Sequence, residues 1–222
     1  MLNLKTNYHE SFRIFIITII NLLTNKVMRK EDERREKLVG AFLDEHFYSQ
    51  FENFERCEDK ERQIKGIDTQ FVIGEKTIKC DEKAAVNYTN LKTFCQEIDR
   101  VNRGDRWQIG WFVDPSLETN AYLYVFIDDV DWSKDEIRKV EALLVGKKQF
   151  KRYLASQGYS DAKIIEFAEY IKQYGVYRLP APEGCRWCYS ERLPEKPINL
   201  LVSRDLLRKL AFKKFEYDIT KQ

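Results

Sequence analysis

Histidine is nearly absent from this chain: only His9 and His46 occur among its 222 residues. They are too few and too far apart in sequence to complete a metal site. Glycine is sparse as well, nine residues with no glycine-rich run. That excludes a phosphate-cradling loop, and no nucleophile elbow is present either. Neither sign of charge dominates, since 38 Lys and Arg face 36 Asp and Glu, for a formal net charge of +2. A polycationic coat is thereby ruled out, and any nucleic-acid partner would have to be met by local basic patches.

Cysteine is limited to five residues, an odd number, with no convincing export signal, which favours a reducing, cytoplasmic setting. Cys57, Cys80 and Cys95 fall within expected elements and read as small buried hydrophobes. Cys185-Arg-Trp-Cys188 has metal-ligand spacing but no second pair, so two incidental thiols in a loop are expected there. A long apolar run is missing too. Phe12–Leu23 is strongly apolar yet only about a dozen residues long, against the roughly 20 that a spanning helix needs. Thr24–Lys30 offers no small-residue cleavage site. Residues 1–27 are therefore expected to form an apolar helix packed on the domain, with Met28 as an alternative start. No membrane partner is expected.

What the chain does have is a large apolar complement, 43% hydrophobic and 14% aromatic. That is enough for one folded domain over residues 28–222. The pattern over 30–48 is helical, with Leu38, Phe42 and Phe47 recurring and acids filling the first turns, where the helix dipole favours them. Strands are expected at 65–73 and 76–86, and at Trp107–Val113 paired with Ala121–Ile127. Helices then dominate: one from Ser133 to Gly146, continued over Lys147–Gln157, and another capped at Ser160 or Asp161 and ending at Gly175. Tyr177–Lys196 reads as irregular. Pro197–Val202 reads as a strand, and Ser203 caps a last basic helix. The fold class expected is α/β with a helical C-terminal half.

The most informative stretch is Gly66–Cys80 with Asp81-Glu82-Lys83 directly behind it. It reads as two strands joined at Gly74-Glu75, and glycine first in a two-residue loop suits a type II′ turn. Ile73 then faces Lys76, and counting outward Asp68 faces Asp81. Opposed carboxylates repel one another, and a divalent cation is the simplest compensation. Strand period places Lys83 on the face of Asp81 and turns Glu82 the other way.

This arrangement resembles the PD-(D/E)xK nuclease superfamily, with its restriction-endonuclease-like fold. Ile67-Asp68 stands where the family has Pro-Asp, and Asp81-Glu82-Lys83 fits the second half. Gln63–Asp68, Thr93-Phe-Cys-Gln-Glu97 and Gly110-Trp-Phe-Val-Asp114 are similar to an uncharacterised bacterial or phage branch of it.

The resemblance implies a restriction-endonuclease-like core and magnesium-dependent hydrolysis of DNA, with manganese able to substitute and no small-molecule cofactor. Asp68, Asp81 and the backbone carbonyl of Glu82 would be metal ligands, and Lys83 would orient the attacking water. Glu97 and Glu36 would be supporting acids, Glu36 with Asp44 and Glu45 as rivals. Gln63 falls on the opposite strand face, where a structural hydrogen bond is expected. Lys147, Lys148, Lys151 and Arg152 form a basic stretch suited to DNA phosphates, and a homodimer is left open. The alternative is a non-catalytic nucleic-acid-binding or assembly protein on the same fold.

Overall fold

The computed structural model describes residues 29–221, so the expected apolar helix at the N-terminus lies outside the described residues. The first described element, α1 over residues 29–46, carries acids in its opening turns, where Glu31 holds Arg34 and Arg35. Its apolar stripe, Val39 and Leu43 with Phe47 just beyond, is buried. A 3-10 turn (Tyr48–Gln50) leads into β1 (Glu52–Arg56), and Asp59 caps the short α2 (Lys60–Ile64). Then come β2 (Thr69–Ile73), β3 (Lys76–Ala84), β4 (Thr93–Val101), β5 (Trp107–Ile109), β6 (Ala121–Asp131) and β7 (Glu136–Gly146). The remainder comprises α3 (Lys147–Ser156), α4 (Asp161–Tyr174), β8 (Cys185–Tyr189), β9 (Ile198–Ser203), α5 (Arg204–Leu210) and β10 (Ala211–Asp218).

Two sheets organise these elements. Six strands run in the order β1-β2-β3-β6-β7-β10, all neighbours antiparallel except β3 and β6, which are parallel. Four strands, β5-β4-β9-β8, form a second, antiparallel sheet. The architecture is α/β with a mixed sheet, as expected.

The alternation along β6 shows how the layers stack. Ala121, Leu123 and Val125 join Val39, Leu43, Phe71 and Cys80 beneath α1. Tyr122, Tyr124 and Phe126 point the other way, into a second core shared with Ile98, Leu200, Phe150 and Ile164. One side of the large sheet is thus covered by a helix, and the other by the second sheet together with α3, α4 and α5.

Three expectations are corrected. Residues 133–146 are not helical: the run Ala142–Val145 is buried on both faces of the sheet between β6 and β10, and a doubly covered strand loses the alternation that would have announced it. With β8, β9 and β10 also present, the C-terminal half is mixed rather than helical. Lastly, β5 does not pair with β6; it is the edge of the second sheet, bound to β4. The expected caps do hold: Ser160 accepts from the Lys163 amide, Ser203 accepts from the Leu206 amide, and Gly175 ends α4 at φ 74°.

Candidate active site

The hairpin sets the geometry. Gly74 takes φ 59° while Glu75 stays at negative φ, the signature of a II′ turn. The register that follows is the expected one, from Ile73 opposite Lys76 to Thr69 opposite Cys80. One residue further it breaks. The Asp68 amide donates to the carbonyl of Cys80, the residue already facing Thr69, at 2.9 Å. Two residues on one strand thus meet one on the other, which is a bulge, and a bulge re-aims the side chain it carries. Asp68 therefore does not sit squarely across from Asp81. Its carboxylate turns along the strand end and accepts from the Glu82 amide at 2.8 Å.

The two acids still meet. Their carboxyl groups come within hydrogen-bonding reach, and Lys83 Nζ lies 2.7 Å from Asp81 Oδ1. Asp81 is only 5% exposed. Burial, reinforced by Asp68 and opposed by Lys83, pushes its pKa up to about 7. Lys83 stacks over the Trp111 ring at 4.3 Å.

Trp111 arrives because the chain crosses β4 closely at Gly110, where any Cβ would collide with the Glu97 carbonyl. The Phe112 amide then donates to that same carbonyl at 3.1 Å. Glu97 is held at this crossing. Its carboxylate takes the Trp111 amide, lies 3.5 Å from Arg100 Nε and feels the charge of Lys83, while burial raises its pKa. The Gly110–Asp114 run thus works as a wall that brings an aromatic ring and an acid to Lys83.

Glu82 turns to the opposite face, as strand period requires. There Arg56 Nη1 donates to Glu82 Oε2 at 2.8 Å, and its Nη2 donates to Asp44 Oδ1 at 2.5 Å. Asp44 is thereby committed to an ion pair, and Glu45 lies 3.9 Å from His46. Glu36 is the member of α1 that reaches toward the site. Burial first, then Asp32, Glu33 and Asp68, raise its pKa. Glu36, Asp68 and Glu82 line a cleft of about 710 Å³ on this side of the sheet, whereas Asp81 and Lys83 lie on the other. Asp68, at the bulge, connects the two. Gln63 donates to the Cys57 carbonyl at 3.2 Å, a structural bond as expected.

The basic stretch does not form a single patch. Lys148 and Arg152 are exposed, whereas Lys147 and Lys151 turn inward. Lys151 pairs with Asp161 at 2.6 Å and covers the Phe112 ring. Lys147 is half-buried, and burial lowers its pKa against the pull of the Asp161, Asp114 and Asp81 charges. Sequence reasoning missed Trp111, which lies under Lys83, and Tyr122, which pairs with Asp81 across the ladder. Position on a helix says nothing about which face is covered until the packing is known. Of the three cysteines expected inside, Cys57 and Cys80 are buried and Cys95 is exposed.

Among the described residues no three His, Cys, Asp or Glu side chains converge as metal ligands. The donor set that does converge is two carboxylates, Asp68 and Asp81. That suits magnesium, a hard cation that takes one or two protein carboxylates and keeps several waters. Also among the described residues, no helix is long and apolar enough to cross a membrane. Comparison with protein-family models, curated proteins and solved structures gave no match.

Proposed function

We propose that this chain is a metal-dependent phosphodiesterase acting on DNA, built on a restriction-endonuclease-like core. The observation that carries the reading is the Asp68–Asp81 carboxyl pair with Lys83 2.7 Å from Asp81. A hairpin serving only as structure gains nothing from two carboxylates in mutual reach, because like charges at that spacing oppose folding. Glu36 on the preceding helix and Glu97 at the rim agree with the supporting acids that the family resemblance implies.

Asp68 and Asp81 would hold magnesium, or manganese in its place, with the Glu82 carbonyl as a further donor. The bound ion would neutralise phosphate charge and lower the pKa of a water. Lys83, fixed between Asp81 and the Trp111 ring, orients that water and offsets negative charge as it builds on the phosphoryl oxygens. The water oxygen gives up a proton as it bonds to phosphorus, one ester P–O bond breaks, and the departing oxygen takes up a proton from solvent. Trp111 and the Gly110 crossing exclude bulk solvent from one side, which strengthens each of these interactions.

The absence of a three-ligand group among the described residues favours a second reading, a non-catalytic nucleic-acid-binding protein on the same fold. Incubating the purified protein with supercoiled, linear and branched DNA, with and without magnesium or manganese, separates the two. The wild type is expected to nick or cut in a metal-dependent manner. Asp68→Ala and Asp81→Ala should each lower the rate by roughly 10²–10³-fold, the several kcal/mol that a metal contributes. Lys83→Ala should abolish cutting to a similar degree. Cleavage that survives all three substitutions overturns the assignment, and retention of DNA without cleavage supports the second reading.

A further inference from the structure

Four strands lie at sheet edges: β1 and β10 bound the large sheet, β5 and β8 the smaller one. An edge strand turns half of its amides and carbonyls outward, which makes it a template for another strand. Three of the four are poor templates. β1 has an irregular register and holds Asn53 at φ 52°, β5 has three residues and β8 has five. β10 has eight, and past an irregularity at its start it runs in even register against β7 from Lys213 to Asp218. Among the described residues its backbone bonds to no strand but β7.

Pairing with β7 assigns the side chains of β10 to two faces. Lys213 and Phe215 face Leu144 and Ala142 on the side of α1, where Phe42 meets the Tyr217 ring edge-on at 4.9 Å. Phe212, Lys214 and Glu216 lie on the other side, and all three are exposed. Neither Lys214 nor Glu216 has an ion-pair partner among the described residues, whereas Asp218, next along that face, holds Lys139 at 3.4 Å. Glu216 also stands opposite Glu141 of β7, and like charges so placed repel.

A second copy of the chain supplies what this edge lacks. Two identical strands related by a twofold axis perpendicular to the sheet pair antiparallel, and each side chain keeps its own face. A pairing centred on Lys214 sets two lysines face to face, and one centred on Glu216 sets two glutamates. Centred on Phe215, it places Lys214 against Glu216 twice, Lys213 against Tyr217, and Phe215 against its own equivalent. Opposite charges and facing aromatics both favour a cross-strand pair. The same register brings Phe212 of each copy, 47% exposed, to the end that carries Ile219 of the other, 40% exposed.

We propose that the chain forms a twofold homodimer through β10, with Phe215 at the axis and the two six-stranded sheets joined edge to edge. The hydrolase reading is not needed for it, since neither Asp68 nor Asp81 takes part.

Sedimentation equilibrium of the full chain tests it, and the wild type should be dimeric at roughly 10 μM. Lys214→Glu sets glutamates against each other at both contacts and should weaken the dimer about tenfold or more, as should Glu216→Lys. Mixed in equal amounts, the two variants should form a heterodimer, because each contact again joins opposite charges. The double variant Lys214→Glu/Glu216→Lys should return to within about threefold of the wild type. Lys60→Glu, an exposed position on α2, should change the constant less than about twofold.

A folded wild type that is monomeric at roughly 100 μM overturns the dimer. If that monomer also protects the outward β10 amides from hydrogen exchange, the edge belongs to another segment of its own chain. Association that both single reversals leave intact overturns the assignment to β10, as does failure of the two variants to combine when mixed.

Discussion

Arg204 and Lys147 occupy the same awkward position, each the first residue of a helix that follows directly on a strand. The dipole disfavours a cation at that end, yet their surroundings differ sharply. Ser203 caps the helix of Arg204, and Asp205 adds an acid to its first turn. The guanidinium takes Asp128 in a two-pronged grip at 2.7 and 2.8 Å and also binds Glu141, which Arg208 shares at 2.7 Å. Every donor and acceptor of that network is answered from within the chain. Around Lys147 there is no side-chain cap and no acid in the turn; its amide donates to the Asn120 carbonyl at 2.9 Å and its ammonium to the Leu117 carbonyl at 3.3 Å. The same position is thus accommodated in two ways, by buried charge pairing at Arg204 and by backbone carbonyls at Lys147.

Removing the matched cation should have the largest effect. Arg204→Ala leaves Glu141 and Asp128 without their main partner, and breaking a buried pair in this way costs about 3–5 kcal/mol. Arg208 still reaches Glu141, which keeps the loss near the lower bound, readable as a shift in the urea midpoint. An unchanged midpoint would mean that the network is decorative and would remove one side of the contrast.

The next effect belongs to Asp81 and depends on pH. The folded-state pKa of Asp81 is raised, from 3.8 to about 7. Its stabilising contribution is therefore complete below about pH 4 and is lost as pH climbs toward 7, because folding must then bury an ionised carboxylate. Asp81→Asn, which cannot ionise, should flatten this part of the stability curve and gain on the wild type between pH 5 and pH 8, by a few kcal/mol at most. Urea melts at the two pH values decide the matter; parallel wild-type and variant curves would contradict the burial of that charge. Magnesium should accordingly stabilise the wild type more at pH 8 than at pH 5, since a proton must leave before the ion can enter.

Glu36→Gln sits at the small end. Glu36 acts on Asp68 from across a partly open cleft, so neutralising it should change the apparent magnesium affinity by only about two- to fivefold. A hundredfold loss would promote Glu36 to a direct ligand.

How far the sequence disclosed this site depended on the range of the forces involved. The hairpin register was legible because Gly74 and the strand pattern act over neighbouring residues, and it held as far as Thr69 opposite Cys80. The bulge at Asp68 was not, because it answers to the Cys80 carbonyl and the Glu82 amide across the sheet. The opposite faces of Asp81 and Glu82 followed from period alone. β7 read as a helix because the layers that cover its two faces, α1 on one and the second sheet with α3–α5 on the other, are set by tertiary packing. Tyr122 and Trp111 are ordinary letters until β6 and the Gly110 crossing bring them together beside Asp81 and Lys83.

The parallel pairing of β3 with β6 carries a temporal consequence. Thirty-odd residues separate the two strands, and they go off to build most of an edge of another sheet before the chain returns. During synthesis the acidic hairpin is finished long before Tyr122 and the α3 lysines have emerged. A nascent chain halted short of Ala121 would carry both carboxylates yet lack the strand that pairs with β3, so Asp81 is enclosed only once β6 has been added.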